Sequence, residues 1–259
     1  MTKSIFSPIR HAFLTLALGC SVLAGSAPAF ALDEAETKQV EQIIRDYLLK
    51  NPELMIEVQQ ALEVKQQEIA KQQATAALQQ NAEKIFASPH QAVIGNLEGD
   101  VTVVEFFDYN CGYCQRAMND MNTLLTGDPK LKFVLKELPI LSQGSVDASR
   151  VSTAVYRLMP EKYAEFHNRL LGSQGQKDGA RAMQVAQEMG LDTAGLQAEA
   201  EKEDVVTAFQ EANDLATKLG INGTPSYVIG DEVVFGALGA DVLKSKIDNV
   251  RRCGSTECG

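Results

Sequence analysis

Val103-Val104-Glu105-Phe106-Phe107-Asp108-Tyr109-Asn110-Cys111-Gly112-Tyr113-Cys114 is the stretch that decides the fold. The β-branched and aromatic run at its start reads as a buried central strand. Asn110 is a favourable helix cap, which predicts a helix beginning at Cys111. A thiol there meets unpaired backbone N–H groups and the positive end of the helix dipole. Such surroundings lower a cysteine pKa from about 8.5 to roughly 3.5–7.5. Cys114 follows one helical turn later, a spacing at which Cβ atoms lie roughly 5–6 Å apart. A relaxed disulfide prefers about 3.8 Å. The bridge therefore needs local tightening and is easily reduced, as suits a disulfide made for exchange. The same C-x-x-C spacing also serves as half a zinc site, so spacing alone leaves two readings open.

Far downstream, Gly223-Thr224-Pro225-Ser226-Tyr227-Val228-Ile229 places a Thr-Pro dipeptide before another apolar strand. A strand running into C-x-x-C, with Thr-Pro before a later strand, resembles the thioredoxin superfamily. The wording Phe106-Phe107-Asp108-Tyr109-Asn110-Cys111-Gly112-Tyr113-Cys114 is similar to its DsbA-like branch. A long helical stretch between the two motifs points the same way. In particular the chain resembles the suppressor-of-copper-sensitivity C-type proteins of bacterial envelopes, which carry an extra N-terminal helical segment. The resemblance implies an α/β protein: a thioredoxin fold with an inserted helical subdomain, preceded by an N-terminal helical extension.

Roles follow from both lines. Cys111 is the attacking thiolate because the helix start favours it, and Cys114 resolves the mixed disulfide. Gly112 and Tyr113 separate the two; they tune the pair, or Tyr113 is a surface aromatic beside the substrate groove. The resemblance makes Pro225 a cis-proline beside the sulfurs, leaving the Thr224 backbone free to pair with substrate. Glu105 is the one acid in an apolar strand and shares a face with Val103 and Phe107, so its pKa should be raised. The resemblance implies that it shuttles the proton of the resolving cysteine. An acid near a strand end that reaches water is the plainer reading. His90 and His167 have no spacing partner for a metal, and no metal or cofactor is expected.

The remaining chain falls into segments. Residues 1–31 read as a secretory leader: Lys3 and Arg10, an apolar run too short to span a bilayer, and the small-x-small site Ala29-Phe30-Ala31. Cleavage before Cys20, with lipoprotein anchoring, is the other reading of this leader. Either directs the chain to the periplasm, where disulfides persist. The whole chain carries 34 acidic and 24 basic residues, a net charge of −10. An acidic body argues against nucleic acid and anionic membrane surfaces as partners.

Residues 32–88 form the extension. Val40, Ile43, Ile44, Tyr47 and Leu48 mark one apolar helix face, and Leu54, Met55, Val58 and Leu62 a second, beyond Asn51-Pro52. A Gln-rich polar helix follows. These patches predict a homo-oligomer held through 32–88, and the resemblance implies a trimer. Residues 89–259 are the thioredoxin domain, its helical insertion at about 144–219. Strands at 226–229 and 232–235 flank the turn Gly230-Asp231. Lys132 and Lys136, alternating with Phe133 and Leu135, suggest a strand with one partly wet face. Cys253 and Cys258 on the tail read as a structural disulfide; a second redox relay or a soft-metal site remains open.

The expected function is a periplasmic thiol–disulfide oxidoreductase and isomerase. It would act on unfolded or misfolded secreted proteins and be reset by a membrane redox partner. The alternatives are a monomeric oxidase, or a copper-binding envelope protein, for which Met-rich and His-rich clusters are missing.

Overall fold

The computed structural model describes residues 33–259. The leader, with Cys20 and Ala29-Phe30-Ala31, lies outside the described residues. The chain divides into two compact units at Gln59/Gln60.

The first unit is helical. Helix α1 (Glu34–Lys50) starts from Asp33, whose carboxylate accepts from Glu36 N while the Glu36 carboxylate accepts from Asp33 N. This reciprocal pair satisfies two donors that a helix start otherwise leaves open. Asn51 stops α1 by donating from Nδ2 to the Tyr47 carbonyl at 2.8 Å. Helix α2 (Glu53–Gln80) then begins beyond Pro52. No residue of α1 is buried, and Ile43, Ile44, Tyr47, Met55, Ile56 and Val58 are all exposed.

The second unit begins within α2. Leu78, at the end of that helix, is buried; so is Ile85 of the short helix α3 (Ala82–Phe86). Both pack with Val104, Phe106, Val134 and Val228 on one face of the sheet. The last part of the expected extension is thus a piece of this core.

Five strands build the sheet: β1 (Ala92–Gly95), β2 (Val101–Phe107), β3 (Leu131–Glu137), β4 (Ser226–Ile229) and β5 (Glu232–Phe235). Their order is β1-β3-β2-β4-β5. Only β2 and β3 pair in parallel, as the helical crossover between them requires. That crossover is α4 (Gly112–Gly127). Strand β2 is central and covered on both faces, which explains its near-continuous apolar run. Val103 and Phe107 face α4 and the last helix, α10 (Ala240–Cys253). Val104 and Phe106 face α3 and α9 (Thr207–Lys218).

The insertion contains α5 (Gln143–Leu158), α6 (Pro160–Gly172), α7 (Gly179–Glu188) and α8 (Thr193–Ala200). The last helix of the insertion is preceded by a break: a 3-10 turn spans Glu203–Val206, and α9 begins at Thr207. Arg157 accounts for the break. It donates to the Asp204 carbonyl and carboxylate at 3.0 Å, so the turn is tied to α5.

A second departure concerns Lys136. The expected wet face of β3 is absent there, because Lys136 is fully buried. Its Nζ donates to the Lys84 carbonyl at 2.8 Å and lies 3.5 Å from Glu211. Burial pulls the ammonium down to about 8, with Glu211 opposing. The alternation along β3 was sound, but α3 arrives from outside and closes over the polar position.

At the C-terminus Cys253 and Cys258 are joined in a disulfide with Cα atoms 6.1 Å apart. Asp231, in the β4–β5 turn, accepts from Thr256 N at 3.0 Å and Ser255 Oγ at 2.8 Å. Arg251 forks onto Asp100 and reaches Asp128 at 2.7 Å, fastening α10 to two loops. Replacing Cys253 and Cys258 together by Ser should cost about 2 kcal/mol, the loop-closure entropy of so short a ring. Denaturant midpoints would measure it, and alkylation of Cys111 should be unchanged.

Candidate active site

The site lies at the C-terminal end of the central strand β2, where Asp108-Tyr109-Asn110 turns the chain into α4. The turn is tightly held. Asp108 is buried; its Oδ1 accepts from Asn110 N at 2.8 Å and its Oδ2 from Leu141 N at 3.0 Å. Cys111 N donates to the Asp108 carbonyl at 3.0 Å.

The cap of α4 differs from the sequence reading. Cys111 itself is the N-cap, with an extended backbone, and the helix proper starts at Gly112. Asn110 is engaged elsewhere. Its Oδ1 accepts from Lys177 N at 2.8 Å, while its Nδ2 donates to the Lys177 carbonyl at 2.7 Å and to Ser145 Oγ at 3.0 Å. The asparagine therefore clasps the active-site turn to the helical insertion. Sulfur takes the capping place: Cys111 Sγ accepts from Cys114 N at 3.2 Å.

That position sets the thiol. Cys111 is brought down to about 6, chiefly by a hydrogen bond from the Cys114 thiol. Burial opposes; the Thr224 side chain and the Cys114 and Tyr113 backbone N–H groups assist. In the protonated form the Cys111 thiol donates to the Thr224 carbonyl at 3.2 Å. Thr224-Pro225 is a cis peptide, and the bond to the Thr224 carbonyl puts this second motif directly beside the Cys111 sulfur. Cys114 is wholly buried, and burial pushes its pKa far up, with the bond to Cys111 and the Glu105 charge acting in the same sense.

A Cβ on Gly112 would meet nothing within 4 Å, which leaves the approach to Cys111 open. Tyr113 is 61% exposed, with the Arg116 guanidinium 4.2 Å from its ring centroid. Such cation–π contacts orient a ring. Glu105 is 3% exposed, so it does not reach water as the plainer reading has it. It lies between Leu135 on β3 and Tyr227 on β4. Burial raises it to about 8, and the Cys111 and Asp120 charges add to the shift.

His167 is no surface histidine. It is buried edge-on against Phe107 with ring centroids 4.9 Å apart, and burial pulls it down to about 3. Its Nδ1 lies 3.3 Å from the Tyr109 hydroxyl, which is 2.7 Å from Ser152 Oγ. Ser152 in turn donates to Glu137 at 2.6 Å. This chain of polar groups, with the Asp108 brace and the Asn110 clasp, escaped the sequence reading. All these residues are legible only once distant segments meet. Among the described residues, no group of three or more His, Cys, Asp or Glu side chains is placed to hold a metal ion. The disulfide Cys253–Cys258 belongs to the tail and takes no part in this site.

Comparison with known proteins gives two family matches. Residues 102–248 match the DSBA-like thioredoxin domain, and residues 36–68 match the copper resistance protein ScsC N-terminal domain. Disulfide bond formation protein D of Bacillus subtilis is 26% identical over 170 residues, 61% of this chain and 76% of that protein. A thioredoxin-like oxidoreductase structure from Silicibacter pomeroyi is 42% identical, with a TM-score of 0.64. The match covers 67% of this chain and 99% of that one. Proteus mirabilis ScsC in a transitional conformation is 29% identical, with a TM-score of 0.63. It covers 84% of this chain and 98% of its own.

The two thiols should alkylate very differently. The Cys111 rate should rise with pH through a midpoint of about 6, because only the thiolate reacts. Cys114 should stay unmodified throughout that range. Mass mapping of the alkylated residue against pH checks both statements.

Proposed function

Because this chain belongs to the DSBA-like thioredoxin family of thiol–disulfide oxidoreductases, we propose that Cys111 and Cys114 exchange disulfides with unfolded or misfolded secreted proteins in the periplasm. The observation that carries this reading is the Cys111 sulfur at the helix N-cap, with Cys114 N–H bonded to it at 3.2 Å and the Cys114 thiol buried behind. A sulfur so placed is ionised at neutral pH, and at 7% exposure Cys111 meets a second sulfur only where a client seats closely against it.

Cys111 thiolate attacks one sulfur of a client disulfide, forms a mixed disulfide and releases the other client thiolate. The Thr224 carbonyl and cis Pro225 line the approach, so an extended client pairs there along its backbone. Gly112 leaves room for it, and Tyr113 offers an exposed aromatic surface. Cys114 resolves the intermediate after passing its proton to Glu105, then attacks Cys111 Sγ and expels the second client thiolate. The enzyme leaves with a Cys111–Cys114 disulfide, which a membrane thiol–disulfide partner reduces. If the client attacks its own mixed disulfide first, its bonds are reshuffled without net reduction. Glu105→Gln should slow resolution at least ~10²-fold, the usual scale for a lost proton acceptor. Mixed disulfides through Cys111 would then accumulate on non-reducing gels.

Isomerisation rests on the extension. Exposed Ile43, Ile44, Tyr47, Met55, Ile56 and Val58 form the kind of apolar surface that monomers rarely leave open. The match of residues 36–68 to an N-terminal domain of ScsC supports a shared role for this segment. Residues 32–88 hold three copies together, so that several thiol sites face one client. Light scattering of the chain without its leader, at micromolar concentration, should give the mass of a trimer. The double variant Ile44→Asp, Tyr47→Asp should be a monomer that still reduces insulin yet no longer rescues scrambled ribonuclease. A monomeric parent protein would remove the isomerase reading and leave simple oxidation.

A further inference from the structure

Tyr227 is a feature that neither the fold nor the two cysteines account for. It is 1% exposed, and among the described residues its hydroxyl has no hydrogen-bond partner. Buried tyrosine hydroxyls are normally paired, since phenylalanine fills the same space without a polar atom to satisfy. The β2–β4 register places Tyr227 directly opposite Glu105. Residues opposed in an antiparallel pair share a face with Cβ atoms roughly 4.5–5.5 Å apart. Two long polar side chains at that spacing are within reach of one another by rotation about their own bonds. Two anomalies thus adjoin: an acid buried without an ion pair and a phenol buried without a partner.

The surroundings leave few other claimants. Burial raises the Tyr227 phenol above its ordinary range, the Glu105 charge raises it further, and from α4 so do Cys114, the partly buried Asp120 and Cys111 when charged. From β3 come Phe133 and Leu135. From α10 come Leu243 and Ile247, while its Lys244 pairs with Asp248 and its Lys246 with Glu232. The neighbouring ionisable groups are therefore all potential anions, and the Tyr227 hydroxyl is a neutral donor set among them.

We propose that Tyr227 is a positioning residue for the proton step: its hydroxyl turns to donate a hydrogen bond to Glu105 when Glu105 is ionised, holding the carboxylate ready to take the Cys114 proton. This rests on the reading of Cys111 and Cys114 as the exchanging pair. The step balances as Cys114 thiol and Glu105 carboxylate going to Cys114 thiolate and Glu105 carboxylic acid. The new thiolate then displaces the leaving sulfur from Cys111. Without the donor the ionised carboxyl is less favoured, so the Glu105 pKa rises above its value of about 8.

The test uses the chain without its leader, with Cys111 and Cys114 reduced and the Cys253–Cys258 disulfide intact, and dithiobisnitrobenzoate, which then releases coloured thionitrobenzoate in two phases. The first phase is attack by Cys111; the second is resolution by Cys114. In Tyr227→Phe the first phase should match the parent. The second should be about three- to tenfold slower at pH 7, its pH profile moved up by about 0.5–1 unit, and it should converge on the parent at high pH. The melting temperature should be equal or higher, because an unpaired buried hydroxyl has been removed. A second phase with the parent's rate and profile overturns the proposal. So does a slower one with an unshifted profile, which is the signature of altered packing. A first phase that survives Cys111→Ser would instead overturn the assignment of the exchanging pair.

Discussion

One hydrogen bond organises the functional end of this molecule: Cys114 N–H to Cys111 Sγ, at 3.2 Å. Every helix begins with N–H groups that need an acceptor. Here the acceptor is a sulfur, so the bond that starts α4 also assists the Cys114 thiol in stabilising the Cys111 thiolate. The same bond fixes Cys114 one turn in, against the core, where its own thiol stays protonated. The asymmetry between the cysteines is thus a product of helix geometry. No special catalytic base beside Cys111 is needed to create it.

Around that bond the chain spends its polar groups on rigidity. Asp108 ties the turn to the loop after β3, and Asn110 ties it to Lys177 in the insertion. The helical subdomain is accordingly part of the apparatus that holds the attacking sulfur beside Thr224. Beneath it, β2 carries an acid where packing alone would place a hydrophobe. A group with a pKa of about 8 in a dry site exchanges protons near neutrality, as an ordinary surface carboxylate does not.

The sequence disclosed what local pattern can carry. The hairpin at 226–229 and 232–235 lies where the alternation and Gly230-Asp231 put it. Pro160 opens α6, and the positive φ of Gly190 follows α7. The family was legible because its two motifs are short and specific. The failures share one cause, which is partners remote in sequence. Asn110 is a good cap by type, yet its donors and acceptors are 67 residues away at Lys177. Lys136 looked wet until α3 covered it. Tyr227 read as one more strand aromatic, because an unpaired hydroxyl exists only in three dimensions.

The tail disulfide begins at Cys253, the last residue of α10, whereas Cys111 caps the first turn of α4. The two pairs thus occupy opposite poles of their helices. At the C-terminal pole the dipole disfavours a thiolate, so Cys253 is a poor attacking group and a poor leaving group. Asp231 further knots the tail around its own disulfide. A thiol–disulfide oxidoreductase that carries a disulfide of its own faces the hazard of becoming its own client, at the high local concentration of a folded molecule. Helix polarity guards against this: the sulfur at the start of α4 is favoured as a thiolate, and the one at the end of α10 is not.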